Sequence, residues 1–296
     1  MQDYQTNRVF FSAHIAERDS SSAKCAKAIN DALRKNSIVV EKKIRNTKDI
    51  WARDYMPIQI GENKFMRYTY RPDYLWKVES NRQYITHNAK CDFLKGKEVV
   101  DCNVVLDGGN VVVCGNKMIL TEKVFSENAD LQPFEITKRI EQASGKQVIW
   151  IPVDPHEVEE AIRNNELPLC HADGILHAID EGTILLSNYQ DYDLDYRAKL
   201  LERLSPYFKI KEFGFGDKKS DNSWIYINYL QVGKVVLMPT LNEPADELAV
   251  EQLKEYLQVD TIVKIDSNEL TFNAADHNVG GSLHCISWNV YDSKKD

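Results

Sequence analysis

Four stretches of the chain space their apolar residues at three and four positions, the period of one helix face. The first follows Ser20-Ser21-Ser22 and carries Ala26, Ile29 and Leu33. The second opens at Pro133, carries Ile136 and Ile140, and stops before Gly145. The third runs through Tyr196, Leu200 and Leu204 towards Pro206, and the fourth opens at Pro244 and carries Leu248, Leu253 and Leu257. Proline in a first turn and glycine just past a last one mark helix ends, because one lacks the amide hydrogen no helix start needs and the other tolerates the left-handed exit. Each stretch leads into a short β-like run: Ile38-Val39-Val40, Val148-Ile149-Trp150-Ile151, Phe208-Lys209-Ile210 and Thr261-Ile262-Val263. Hairpin patterns with a glycine turn lie in IWARDYMPIQIGENKFMRYTY, VVLDGGNVVVCGNKMILTEKV, LCHADGILHAIDEGTILLSNY and SWIYINYLQVGKVVLMPT. A weaker helix belongs somewhere in residues 76–95.

The order of helix, strand and hairpin therefore recurs, with Asp54, Asp107, His171, Asn228 and Cys285 at equivalent places about 50–65 residues apart. The last segment, SLHCISWNV, has no second strand after it, and the run Arg8-Val9-Phe10-Phe11 has no hairpin partner of its own. This predicts that the first strand completes the last unit and closes a ring, which would remove exposed sheet edges. The expected fold is α/β: a single domain over residues 1–296, built as a five-bladed α/β propeller of pseudo-fivefold repeats. An ordinary α/β sandwich with similar spacing is the alternative.

The first hairpin strands carry residues that strands disfavour: Asp54, Asp107, His171 with Asp173, and Cys285. In a ring these strands would face the middle, and alternation would put His171 and Asp173 on one face. The same alternation turns His284 away from Cys285 and gives it a structural part. A thiol, an imidazole and three carboxylates in one pocket suit attack on a guanidinium carbon. Carboxylates grip a guanidinium through paired, charge-assisted hydrogen bonds and keep it protonated, hence electrophilic. A thiolate is the nucleophile, and a histidine can protonate the departing amine and then activate water. Asp54 and Asp173 would clamp, Cys285 attack, His171 act as acid and base, and Asp107 orient His171. Cys25 and Cys114 read as small buried groups, and His277 as a residue of the loop before Cys285.

Composition narrows the field. The chain of 296 residues is 43% hydrophobic and 28% charged, with a net charge of −8, which argues against nucleic acid as partner. No apolar run is long enough for a membrane span. The opening MQDYQTNRVFF has no basic segment leading into an apolar one, and six cysteines occur without a CxxC spacing. These features lead us to expect reduced thiols in a cytoplasm. A metal site from Cys170, His171, Asp173 and His177 competes with the thiol chemistry, but Cys170 should face away and no second ligand pair has a recognisable spacing. No metal and no cofactor is expected.

Trp51-Ala52-Arg53-Asp54, Leu106-Asp107-Gly108-Gly109-Asn110, His171-Ala172-Asp173 and Gly280-Gly281-Ser282-Leu283-His284-Cys285-Ile286 occur in this order. In these pieces the chain resembles the agmatine deiminase and bacterial peptidylarginine deiminase family of the guanidine-modifying superfamily. The resemblance implies a five-bladed propeller, a cofactor-free thiouronium mechanism, Asp54 and Asp173 on the guanidinium, and His171 and Cys285 as catalytic. Trp51, Asp107 and Asn110, within the matching motifs, are expected on the substrate side. The family usually has glutamate where this chain has Asp107. Its agmatine deiminases have Thr-Gly-Pro where Tyr55-Met56-Pro57 stands, Gly-Gly-Gly-Asn before the cysteine, and a tryptophan-rich N-terminal motif absent here. The expected partner is thus a small cationic guanidino compound, with agmatine, arginine derivatives and peptidyl-arginine all open. Amidino transfer on the same fold, cation binding without turnover and metal-dependent hydrolysis are the other readings. A homodimer is kept open as the assembly.

Overall fold

The computed structural model describes residues 1–16, 22–40, 43–272 and 281–294. His277 and Gly280 lie outside them. The helices form where the periodicity predicts. Pro133–Ser144 starts on its proline and ends at Gly145, which takes the left-handed conformation at φ 69° and returns its amide to the Glu141 carbonyl. Leu194–Leu204 is capped by Asp193, whose carboxylate accepts from the Tyr196 amide at 2.8 Å. Ser22–Lys35 and Ala245–Tyr256 complete the expected four. A further helix, Pro155–Asn164, carries the N-cap Asp154.

The strands of the described residues make five three-stranded sheets, all with one connectivity. Two antiparallel neighbours are followed by a parallel third strand: Ile58–Gly61, Lys64–Thr69 and Glu98–Val105; Val112–Cys114, Lys117–Thr121 and Gln147–Ile151; Leu176–Ala178, Thr183–Leu186 and Lys209–Glu212; Leu230–Val232, Val235–Thr240 and Thr261–Asp266. The fifth sheet joins the two ends of the sequence. Arg8–Phe11 pairs antiparallel with Ser287–Val290, in register Arg8 to Val290 and Phe11 to Ser287, and parallel with Val39–Val40. The orphan first strand thus finds the partner expected for it.

Each long helix seals a sheet with the apolar stripe that predicted it. Ile136 and Ile140 pack with Met118, Leu120 and Val148. Tyr196, Leu200 and Leu204 pack with Ile184, Leu186 and Ile149. Ile29 and Leu33 cover Val9 and Phe11, and Ala249 and Leu253 cover Val236 and Met238. Burial of each large aliphatic side chain stabilises the fold by roughly 1.5–3 kcal/mol. Residues 76–95 hold no long helix; a four-residue turn, Asp73–Trp76, leads into them and a short 3-10 helix, Glu79–Tyr84, follows. No helix among the described residues is long and apolar enough to cross a membrane.

One expectation is corrected. The motif residues are not on the first hairpin strands but on short helical turns just before them. Asp54 lies in the turn Ala52–Tyr55, Asp107 caps the turn Gly108–Asn110, His171 caps the turn Ala172–Gly174, and Asn228 ends the turn Ser223–Ile227. Cys285 sits in the turn before Ser287. Strand alternation therefore does not govern where these side chains point. A tight turn at a strand entrance can expose neighbouring residues to the same space, whereas a strand sends them to opposite faces.

Candidate active site

The five turns are joined by a closed circuit of hydrogen bonds. The Gly109 amide donates to Asp54 Oδ1 at 3.0 Å, and the Ala172 amide donates to Asn110 Oδ1 at 3.2 Å. Asn228 Nδ2 donates to the Asp173 carbonyl at 3.2 Å, and the His284 amide to the Asn228 carbonyl at 3.1 Å. The Arg53 amide then donates to the Cys285 carbonyl at 3.0 Å and returns to the first turn. Each predicted residue is thereby fixed by its neighbour in space, not by its neighbour in sequence.

Cys285, His171, Asp54, Asp107 and Asp173 are all buried, and the structure brings them together. Gly109 lies at the centre. A β-carbon added there would stand 2.7 Å from Asp54 Oδ1, 2.8 Å from His171 Nδ1 and 3.3 Å from Asp173 Oδ1. Two carboxylates and an imidazole thus converge on one point, and only a residue without a side chain can underlie it. His171 turns Nε2 to Asp107 Oδ2 at 2.9 Å, and Nδ1 lies 3.7 Å from Asp54 Oδ1. Asp107 therefore orients the imidazole. Cys285 Sγ is 3.2 Å from Asn228 Oδ1 and 3.7 Å from Asp173 Oδ2. Among the described residues, the buried Asp173 Oδ1 and Asp107 Oδ1 have no hydrogen-bond partner, a costly state for a carboxylate oxygen that a cationic ligand would relieve.

The electrostatics follow from burial and crowding. Burial, with Asp107 and Asp173 close by and only partly offset by His171, pushes Asp54 up to about 7. Burial works against a charged His171, but Asp54 and Asp107 outweigh it and hold the imidazole up to about 10. Burial also opposes the Asp173 charge, yet its bond to His284 wins and keeps that carboxyl below the usual range. Burial, then Asp173 and Asp54, push the Cys285 thiol well above its ordinary value. The resting site holds a thiol, an imidazolium and an excess of carboxylate.

Two predicted contact residues face the scaffold. Asn110 Oδ1 accepts from the amides of Thr121, at 3.0 Å, and Ala172. Trp51 lays its ring against Gly281, where a side chain would collide with it, and so supports the loop that carries the cysteine. Three other residues were not predicted in their observed places. Asn228 marked only the repeat, yet it touches Cys285 through both the amide and the thiol. His284 does not point away: its Nδ1 is 2.6 Å from Asp173 Oδ2. Asp3 reaches His284 Nε2 at 3.0 Å. The spacing of the repeat could have flagged Asn228; nothing in the sequence pattern flags Asp3.

The metal set Cys170, His171, Asp173 and His177 does not form. The donors that do cluster within 4.8 Å among the described residues are those of Asp3, His177 and His284. They fit a metal poorly: His284 is already shared between two carboxylates, and Arg53 lines the same cavity and lowers the affinity of both histidines for positive charge.

A family model described as Porphyromonas-type peptidyl-arginine deiminase matches residues 2–290. The chain belongs to this family. It is accordingly a hydrolase of carbon–nitrogen bonds in linear amidines. A Vibrio parahaemolyticus protein provisionally named agmatine deiminase is 23% identical over 289 residues, 82% of this chain and 75% of that protein. Among solved structures, the C. jejuni agmatine deiminase superposes with a TM-score of 0.68 at 17% identity, covering 100% of this chain and 96% of that one. The agmatine deiminase of Enterococcus faecalis superposes at 0.69 and 16%, covering 97% and 94%. At these identities the structural likeness speaks for the shared α/β fold.

Proposed function

We propose that this deiminase hydrolyses the guanidinium group of agmatine or a related small guanidino compound through a covalent thiouronium on Cys285, releasing ammonia and a ureido product. The observation that carries the reading is the point above Gly109 where Asp54, Asp173 and His171 converge, with one buried Asp173 oxygen that has no partner among the described residues. A planar cation with paired N–H donors satisfies that arrangement, and an anion or a neutral apolar group does not. The circuit of hydrogen bonds through five turns supports the further reading of the five sheets as blades around this pocket, in one domain over residues 1–296.

The charges order the steps. Carboxylates and burial keep the Cys285 proton in place while the site is empty. A guanidinium seated between Asp54 and Asp173 neutralises them, and the thiol then releases its proton to solvent. The thiolate attacks the central carbon to give a tetrahedral adduct. His171, held by Asp107, hands its Nδ1 proton to the departing nitrogen, ammonia leaves, and the thiouronium remains. The now neutral His171 takes a proton from water, the hydroxide attacks the same carbon, and as the carbon–sulfur bond breaks the adduct's hydroxyl proton passes to the leaving thiolate, freeing the ureido product and restoring the thiol. No cofactor takes part in these steps.

Departures at Tyr55-Met56-Pro57 and Gly281-Ser282 keep arginine derivatives and peptidyl-arginine as alternatives for the far end of the substrate. The test is ammonia release from agmatine, free arginine, a methylated arginine and short arginine peptides, with Cys285→Ala alongside. Release lost in the variant supports the reading and names the substrate class. Release that survives Cys285→Ala removes the cysteine from the mechanism, and no release from any compound favours amidino transfer or binding without turnover.

A further inference from the structure

Asp173 is asked to hold a guanidinium with one oxygen while its other oxygen, Oδ2, is 2.6 Å from His284 Nδ1 and 3.7 Å from the Cys285 sulfur. What fixes His284 therefore fixes the clamp. Its outer nitrogen, Nε2, lies 3.0 Å from Asp3 Oδ2, an ion-pair contact and not an aligned hydrogen bond, and His177 Nε2 lies 3.6 Å from the same oxygen. His284 is thus an imidazole strung between two carboxylates, one in the reaction site and one delivered by the segment Met1–Asn7.

That segment is wedged in place from several sides. Gln2 Nε2 donates to the Asp180 carbonyl at 3.2 Å, in the turn of one sheet. Asn289 Nδ2 donates to Thr6 Oγ1 at 3.2 Å and to the Gln231 carbonyl at 2.8 Å, tying the segment to two more. Asn7 Nδ2 donates to the Asp292 carbonyl at 2.8 Å. Between this segment and the hairpins is a cavity of about 50 Å³ lined by Asp3, Arg53, His177 and His284 among others. The ring of Tyr229 packs tilted against His177, with centroids 4.1 Å apart.

We infer that Asp3 is a positioning residue for the guanidinium clamp, acting through His284 to hold Asp173 oriented and ionised. The inference rests on the proposed guanidinium chemistry. The groups facing His284 are Asp3 and Asp173, which favour its charge, and Arg53, which opposes it. His177, beside it with ring centroids 5.4 Å apart, is buried and held neutral near 3. With Asp3 gone, burial and Arg53 face Asp173 alone. His284 then gives up its proton at lower pH, and its bond to Asp173 weakens from a pair of opposite charges to a neutral N–H on a carboxylate.

The experiment compares wild type with Asp3→Asn, which keeps the shape and removes the charge, and with Asp3→Glu, which restores the charge. Tyr4→Phe, in the same turn but away from His284, is the control. For Asp3→Asn we expect KM for the preferred guanidino compound to rise about ten- to a hundredfold, kcat to change much less, and the alkaline limb of kcat/KM to move down by about one pH unit or more. Asp3→Glu should recover part of both, and Tyr4→Phe should keep the wild-type limb. A segment that only stabilises the fold would lower the melting temperature and the active fraction without moving the limb or separating KM from kcat. That result would overturn the inference. Imidazole NMR of the full chain reads the same coupling without turnover. If wild type turns nothing over, the functional reading fails, and a His284 titration unchanged in Asp3→Asn would then sink the coupling as well.

Discussion

Replacing Gly109 with alanine adds one methyl group at the point on which the site converges. That methyl would stand 2.7 Å from Asp54 Oδ1 and 2.8 Å from His171 Nδ1, several tenths of an ångström inside contact distance. Neither neighbour is free to retreat. Asp54 is held by the Gly109 amide itself, and His171 is held from behind by Asp107. If Asp54 moves, it loses a charge-assisted hydrogen bond worth about 1.5–3 kcal/mol. Overpacking of a filled site adds about 1–3 kcal/mol. Displacement of a clamp by about 1 Å can cost on the order of a hundredfold in rate. We therefore expect Gly109→Ala to lower kcat/KM by at least about a hundredfold, while the melting temperature falls by about 4–10 °C. The assay is steady-state ammonia release at several substrate concentrations, with thermal unfolding on the same preparation. A Gly109→Ala protein with wild-type kcat/KM would refute the placement of the guanidinium above this residue.

The pH dependence of binding has a defined sign. Asp54 is raised to about 7, so the clamp is partly protonated below neutrality, and KM should fall as pH rises from 6 to 8; a KM that is flat across this window contradicts the clamp. His171, raised to about 10, contributes stability that is fully present below its ordinary value near 6.5 and is lost as pH rises through 10. Asp107→Asn removes part of the cause, so it should lower stability at pH 7 more than at pH 11, read by denaturant unfolding, and should depress kcat more than it raises KM. Leu200→Ala, in the core under the third sheet, should cost about 2–5 kcal/mol of unfolding free energy with KM unchanged, because its packing is in the apolar core.

The long elements were legible because local rules decide them. A proline at position 133 and a glycine at 145 bound a helix whatever lies around it, and a four-residue apolar strand without a hairpin partner had to find one elsewhere. The chemical residues were legible as a set because their spacing repeats. Their local geometry was not. Asp54, Asp107 and His171 sit on turns whose conformation is fixed by hydrogen bonds between turns of different repeats, so period-two reasoning placed His284 on the wrong side. Asn110 and Trp51 were expected on the substrate side as members of the matching motifs, yet the contacts seen for them are with backbone amides and a glycine. Asp3 was invisible for the same reason: its partners come from the third repeat and from the last turn of the chain, and no local pattern links them.

The central claim is that the reacting carbon is bonded to Cys285 during turnover. The direct measurement is intact-protein and peptide mass spectrometry on enzyme quenched in acid within its first turnovers, with the preferred guanidino compound as substrate. The account predicts an adduct on the peptide carrying Cys285 with the mass of the substrate less ammonia. An adduct carrying only an amidino group would show that the amine is expelled instead and the reaction is transfer. Full turnover with no adduct on Cys285 under any quench, together with an active Cys285→Ala protein, would contradict the account.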